Sequence, residues 1–78
     1  AYMDLDRIDF DPEQPRRSLD PAKLEEMAET MKVHGVLQAV SLRPSPHAAG
    51  RWIVNMGERR VRAARMAGLT RVPFVVHE

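Results

Sequence analysis

With 78 residues, no cysteine and a net charge of +1, the chain can form one small domain, and disulfides and cysteine-ligated zinc are excluded. No apolar run approaches the roughly 20 residues of a membrane span, and no signal-peptide pattern opens the sequence. We therefore expect a soluble, cytosolic domain with no membrane partner, short enough to be a piece of a longer protein.

The chain begins with a predicted strand and a stiff loop. Residues 2–10 alternate loosely between apolar and acidic side chains, as a half-buried strand does. Residues 11–18 contain two prolines, which restrict the backbone and remove amide donors. Such a loop can hold Arg16 and Arg17 in place at low entropic cost.

A helix with clear end signals is predicted next. Asp20 suits the N-cap, Pro21 the first helical position, and Gly35 the position that ends the helix. The apolar residues follow the i, i+3, i+4, i+7 spacing of an amphipathic helix: Leu24, Met27, Ala28 and Met31. We expect this face to pack in the core.

Two strands, a second helix and a last strand complete the predicted fold. An extended pattern covers 36–42, and a proline-rich loop separates it from an apolar strand over 51–56. The second helix is predicted over 58–67, with a final strand over 72–76 in which Pro73 lies near the start or at a sheet edge. The order β-α-β-β-α-β predicts an α+β fold with two helices against a small mixed sheet.

Charge is divided unevenly along the chain. Residues 1–39 carry nine acids and five bases, a net charge of −4, whereas 40–78 carry two acids and seven bases, all arginine, a net charge of +5. This asymmetry indicates a local anion site rather than general polyanion binding. Arginine favours bidentate contacts with phosphate or carboxylate. The alternative is that the arginines simply keep one face soluble.

The start of the second helix carries positive charge where the helix dipole opposes it. Arg59, Arg60 and Arg62 lie in the first two turns, and Glu58 offsets only part of this unfavourable interaction. An anion bound to the free amides and held by the guanidinium groups makes the arrangement favourable. Gly57 allows close backbone approach. Two differently directed arginines suit a polyphosphate better than a lone carboxylate, although a solvated basic face is the alternative.

Three motifs together resemble one protein family. The segments 14–17 (QPRR), 35–38 (GVLQ) and 57–64 (GERRVRAA) have the order and spacing of the N-terminal domain of ParB partition proteins, KorB-like plasmid regulators included. The resemblance covers almost the whole chain, so that 1–78 is expected to be one nucleotide-binding domain. It implies the ParB/sulfiredoxin-like fold. It also implies binding of CTP with Mg²⁺, a slow CTPase activity in the full-length bacterial protein, and a nucleotide switch through which two such domains engage and a dimer closes as a clamp on DNA.

The resemblance also implies particular site residues. Arg60 matches the principal phosphate contact, whereas Gln14 and Glu58 match positions implicated in hydrolysis. The other nucleotide-binding positions are Gly57, Arg59 and Ala63 at the second helix, Arg16 and Arg17 in the loop, and Gly35, Val36, Leu37 and Gln38 near the base.

The chain departs from the family pattern in two respects. Ala39 stands where a proline usually follows the glutamine, which weakens the expectation for the base contacts. The family's second phosphate- and metal-binding motif, Glu-Asn-x-Gln-Arg, and its helix-turn-helix are absent. We therefore expect the Mg²⁺ ligands mainly outside this chain, DNA contact only through the full-length protein, and an isolated domain that is inactive and binds nucleotide weakly or not at all.

Other functions stay open on the sequence. A stand-alone ParB-like nuclease or nucleotide hydrolase could use Gln14 and Glu58, although one carboxylate is a poor basis for a metal site. A third interpretation is a protein-interaction module that binds a ParA-type ATPase. The histidines lack metal-ligand spacing, and without cysteine sulfiredoxin activity is excluded. The expected partners are a nucleoside triphosphate, DNA, a ParA-type ATPase and another ParB copy, at a nucleoid- or plasmid-associated site in the cytoplasm.

Overall fold

The structure is a computed structural model that describes residues 1–11 and 20–77, and this part of the chain holds five strands and two helices. A 3-10 turn spans Leu5–Arg7. The helices are α1 (Pro21–His34) and α2 (Glu58–Met66). The strands are β1 (Tyr2–Asp4), β2 (Ile8–Asp9), β3 (Val40–Pro44), β4 (Trp52–Met56) and β5 (Arg71–Val76). The predicted α+β class, with two helices and a small mixed sheet, is confirmed.

All five strands form one mixed sheet in the order β1-β5-β3-β4-β2. β5 pairs antiparallel with β1 and parallel with β3, while β4 pairs antiparallel with β3 and parallel with β2. The two edge strands are the shortest, with three and two residues. Short edges leave few unpaired backbone groups open to other chains.

The N-terminal strand differs from its prediction. The sequence predicts one strand over 2–10, but the chain forms β1 and β2 at opposite edges of the sheet, with the 3-10 turn between them. Arg65 holds this turn, because its Nη2 donates to the carbonyl oxygens of Leu5 at 3.0 Å and Ile8 at 2.8 Å. Local alternation of side chains does not reveal a turn that is held from the far end of the sequence.

Two smaller differences concern β3 and β5. The extended pattern over 36–42 becomes a strand only from Val40 onward. Pro73 is the third residue of an interior strand, so its predicted edge position is wrong and its position near the strand start is right. The ladder to β1 continues at the next amide, where Phe74 N–H donates to the carbonyl of Ala1 at 3.2 Å.

The ends of α1 follow their sequence signals. Asp20 is the N-cap, and its Oδ1 accepts a hydrogen bond from Ala22 N–H at 3.0 Å. Pro21 is the first helical residue. Gly35 ends the helix at φ 72°, with its N–H donating to the carbonyl of Met31 at 2.8 Å.

The hydrophobic core packs the two helices against each other and against the sheet. Ala28 and Met31 of the predicted α1 face are buried, while Leu24 and Met27 are half-buried. Among the described residues, the fully buried ones are Ile8 of β2, Val40 and Leu42 of β3, Val61, Ala63 and Ala64 of α2, and Val72 of β5. Each buried valine or leucine contributes about 1.5–3 kcal/mol. Alanine at two core positions of α2 lets this helix lie close to its neighbours.

Within residues 1–11 and 20–77, neither helix is long and apolar enough to cross a membrane.

Candidate functional site

The turn between β4 and α2 depends on glycine for two reasons. Gly57 has φ 108°, a conformation that side chains with a Cβ rarely adopt. A Cβ placed there would also lie 2.9 Å from Cγ1 of Val40, which is too close for the two atoms to coexist without a shift. In the structure, Gly57 approaches the core of the sheet closely. It fixes the start of α2 against β3.

The N-terminus of α2 has no side-chain cap. The N–H of Val61 donates to the carbonyl of Gly57 at 3.1 Å, which leaves the earlier amides of the first turn without a partner in the helix. Arg59 is exposed, and it has no ion pair or hydrogen-bond partner in the part of the chain that the structure describes. Free amides, the positive end of the dipole and an uncommitted guanidinium group together suit an anion.

The segment between α1 and β3 lies beside the start of α2. Val36 is half-buried, whereas Leu37 is 80% exposed and Gln38 is exposed. The Nη2 of Arg60 donates a hydrogen bond to Oε1 of Gln38. Two of the motifs predicted from the sequence, which lie 22 residues apart, therefore meet in space.

An open cleft of about 540 Å³ lies at this junction. Its volume is within the roughly 300–1,000 Å³ that is usual for small-molecule sites. The cleft combines apolar and charged side chains from α1, the following segment and α2: Lys23, Glu26, Met27, Thr30, Met31, Gly35, Val36, Leu37, Gln38 and Arg60. Such a lining can pack a flat ring against methionine and valine while a cation faces a phosphate.

The structure gathers some of the predicted site residues and not others. Those that line the cleft are Gly35, Val36, Leu37, Gln38 and Arg60. Gly57 and Arg59 lie at the N-terminus of α2, outside the lining. Ala63 is fully buried in the core, so it can shape the site by packing but does not reach into the cleft. The predictions for Gln14, Arg16 and Arg17 fall outside the described residues.

Glu58 does not line the cleft and has a partner on its own helix. Its Oε2 accepts a hydrogen bond from Nε of Arg62 at 3.0 Å. The guanidinium of Arg62 lies 4.2 Å from the ring centroid of Phe10. A hydrolytic role for Glu58 therefore requires its second carboxylate oxygen or a rearrangement of this pair.

Lys23 also lines the cleft, although it was not predicted from the sequence. It lies in the first turn of α1, which contains no acid. A base at that position is opposed by the helix dipole, as Arg60 is at α2. The same criterion applied to both helices could have found it.

Several arginines of the basic half bind the acidic half of the chain. Nε and Nη2 of Arg51 donate to the two carboxylate oxygens of Asp9 at 2.8 and 2.7 Å, and Nη2 of Arg43 donates to Asp11 at 2.7 Å. The Arg51 hydrogen bond holds the pKa of Asp9 below its ordinary value, against a smaller opposing effect of burial. Part of the charge asymmetry therefore stabilises the fold. The predicted anion site is then limited to the arginines at the start of α2.

The described residues do not fit a magnesium site of their own. Among residues 1–11 and 20–77, no three Asp, Glu or His side chains converge into a group that could hold a metal ion. Mg²⁺ prefers near-octahedral oxygen ligands and is commonly held by carboxylates together with substrate phosphates. This part of the chain offers no carboxylate cluster for that purpose.

Comparison with known sequences points to one family. The sequence model described as the ParB N-terminal domain matches residues 1–78. The chain is 46% identical over 74 residues to the chromosome-partitioning protein ParB of Caulobacter vibrioides, which covers 95% of this chain and 24% of that protein. It is 40% identical over 78 residues to the transcriptional repressor KorB of Escherichia coli, covering 95% and 22%. The chain thus spans about a quarter of the length of the curated relatives it matches.

Comparison with solved structures gives the same relationship. C-terminally truncated ParB from Caulobacter crescentus, complexed with CTP-gamma-S, matches the whole chain with a TM-score of 0.93 and 40% identity, over 43% of its own length. The same protein complexed to the centromeric parS site matches with a TM-score of 0.96, over 40% of its length. Sulfiredoxin from Arabidopsis thaliana has a TM-score of 0.80 at 19% identity, covering all of this chain and 83% of its own, and shares the fold alone. The predicted ParB/sulfiredoxin-like fold is confirmed.

Proposed function

Because this chain belongs to the ParB N-terminal domain family, we propose that it is the CTP-binding switch domain of a bacterial DNA-partition protein. The observation that carries the proposal is the meeting of Arg60 with the segment 35–38 on one cleft. The ligand class is supported by the relative that matches the whole chain at 40% identity, because that protein is complexed with CTP-gamma-S.

In this proposal, the phosphate groups and the base of the nucleotide bind to different parts of the cleft. Arg60, at the free amide end of α2, contacts a phosphate group, and Arg59 adds a second cation there. The segment 35–38 and the apolar wall formed by Met27 and Met31 receive the pyrimidine ring. Outside the described residues, Arg16 and Arg17 add phosphate contacts.

Slow hydrolysis is the finer part of the proposal. Glu58 and Gln14 order a water molecule near the terminal phosphate, and Glu58 does so through the carboxylate oxygen that Arg62 leaves free. Mg²⁺, if bound with the nucleotide, would neutralise phosphate charge. Because the described residues contain no group of three acidic or histidine side chains that could hold it, its protein ligands are expected mainly in the rest of the full-length protein.

Nucleotide binding acts in the longer protein as a switch. Occupancy of the cleft controls the engagement of two such domains and the closing of a dimer as a clamp on DNA. The relative complexed to parS supports DNA as the partner of the full-length protein. A ParA-type ATPase is a further partner, and the site of action is the cytoplasm, on the nucleoid or a plasmid. The described residues contain no carboxylate cluster that would support the alternative of a stand-alone nuclease or hydrolase.

Arg60→Ala in the full-length protein tests the proposal. Isothermal titration with CTP, ATP, GTP and UTP, each with Mg²⁺, is expected to show a preference for CTP. The substitution should weaken CTP binding roughly tenfold or more, because a charge-assisted contact to phosphate is lost.

The matched control is Arg71→Ala. It removes the same charge from an exposed arginine of β5, whose guanidinium lies 5.9 Å from the ring centroid of Tyr2 and outside the cleft. CTP affinity should be unchanged in this variant. Equal affinity for all four nucleotides, or unchanged affinity in Arg60→Ala, contradicts the proposed function.

A further inference from the structure

The hydrogen bond from Arg60 to Gln38 links two separate parts of the cleft. Nη2 of Arg60 donates to Oε1 of Gln38, and both side chains line the cleft. The residues lie on different elements, Arg60 in α2 and Gln38 in the segment before β3. Their contact is therefore a product of tertiary packing.

Both partners of this hydrogen bond lie near a close contact between β3 and the start of α2. Gln38 lies two residues before Val40, and Arg60 lies three residues after Gly57. Val40 is fully buried, and its Cγ1 would lie 2.9 Å from a Cβ on Gly57, so Gly57 packs closely against the side chain of Val40. Both side chains therefore extend from segments that lie close to this packed contact.

In the absence of a ligand, the charge of Arg60 is unfavourable unless another group interacts with it. It is the third residue of α2, where the helix dipole opposes a cation. Among the described residues it forms no ion pair with a carboxylate, and its hydrogen-bond acceptor is Oε1 of Gln38. A long side chain without that acceptor loses its preferred direction and samples many rotamers.

The chemistry of the pair fixes the orientation of the amide. A guanidinium group donates hydrogen bonds and accepts none, so Oε1 of Gln38 must face Arg60. The Nε2 amide group then carries the two remaining donors. It can offer them to an acceptor atom of a ligand in the cleft.

We propose, on the basis of the proposed function, that Gln38 is a positioning residue that directs the guanidinium of Arg60 toward the phosphate site before the nucleotide binds. Gln38 then contributes to affinity mainly through Arg60. This role is additional to the contact with the pyrimidine ring proposed for the segment 35–38, and it differs from that contact because it depends on Arg60.

A test without ligand uses the side-chain nitrogen NMR signals of Arg60 in the free protein. Gln38→Ala should remove the signals of a guanidinium group with restricted rotation, whereas Gln38→Glu should retain them because a carboxylate also accepts the hydrogen bond. Thr70→Ala, an exposed change outside the cleft, should leave them unaltered. Unchanged signals in Gln38→Ala overturn the inference whether or not the protein binds a nucleotide.

A double-mutant cycle on CTP affinity gives the second test. Gln38→Ala should weaken CTP binding roughly three- to tenfold when Arg60 is present, and should cause a clearly smaller loss in Arg60→Ala. An equal loss in both backgrounds overturns the positioning role. If the wild-type protein binds no nucleotide but the NMR signals change as expected, the proposed function fails and the control of Arg60 by Gln38 stands.

Discussion

Gly57 and Gly68 both have a positive φ, but their surroundings differ. Gly57 has φ 108°, and a Cβ there would meet Val40 at 2.9 Å. Gly68 has φ 77°, and a Cβ there would meet nothing within 4 Å. The first glycine is therefore required for conformation and space, and the second for conformation alone.

Gly57→Ala is expected to lower the free energy of unfolding by about 2–4 kcal/mol, from backbone strain together with overpacking against β3. Gly68→Ala should cost only about 1–2 kcal/mol, since strain acts there without a clash. Urea denaturation of both variants measures the difference. Equal losses would mean that the contact with Val40 contributes nothing at Gly57.

At the scale of elements, α2 joins the N-terminal turn to the rest of the fold. Nη2 of Arg65, near the end of α2, donates to the carbonyls of Leu5 and Ile8, and its guanidinium lies 5.2 Å from the ring centroid of Phe10. Arg59, at the other end of the same helix, has no partner within residues 1–11 and 20–77. Two arginines of one helix thus have different tasks, one in the fold and one proposed for ligand binding.

Arg65→Ala should therefore lower the free energy of unfolding by about 1–2 kcal/mol, because two backbone acceptors lose a charged donor. Arg59→Ala should change it by no more than about 0.5 kcal/mol, and in the stabilising direction, since a cation leaves the positive end of the helix dipole. Chemical denaturation compares the two. A larger loss in Arg59→Ala would contradict this division of tasks.

At the scale of the whole molecule, the acidic half of the sequence folds against the basic half. Arg51 of the loop before β4 pairs with Asp9 of β2, and Arg43 of β3 pairs with Asp11. The Nη2 of Arg51 also donates to the carbonyl of Asp6 at 3.0 Å. These contacts close the N-terminal part of the chain onto the β3–β4 hairpin.

The Asp9 pair predicts a pH dependence of stability. Since the hydrogen bond from Arg51 lowers the folded-state pKa of Asp9, the pair stabilises the fold above the unfolded-state pKa, about 4, and this stabilisation is lost as pH falls through the lower folded-state value. Arg51→Gln should thus lower the melting temperature at pH 7 and lower it less at pH 3. The same decrease at both pH values would show that the pair acts without the Asp9 charge.

The candidate site was only partly predictable from the sequence. The dipole mismatch points to Arg59, Arg60 and Arg62, and the family resemblance selects Arg60 among them. The structure places Arg60 in the cleft with the segment 35–38. Neither signal shows that Gln38 binds Arg60, nor that Lys23 lines the same cleft. The roles of Gln14, Arg16, Arg17 and Glu58 stay predictions.

The sequence by itself determined the features that depend on neighbours within a turn or two of the chain. Asp20 and Gly35 mark the ends of α1 because capping satisfies local backbone groups, and apolar spacing identifies the face that carries Met31. Only the tertiary structure decided that residues 2–10 form two edge strands and which arginines bind the fold. Those outcomes depend on contacts between residues that are 22 to 60 positions apart, such as Arg60 with Gln38 and Arg65 with Leu5. Patterns of neighbouring residues do not predict such pairings.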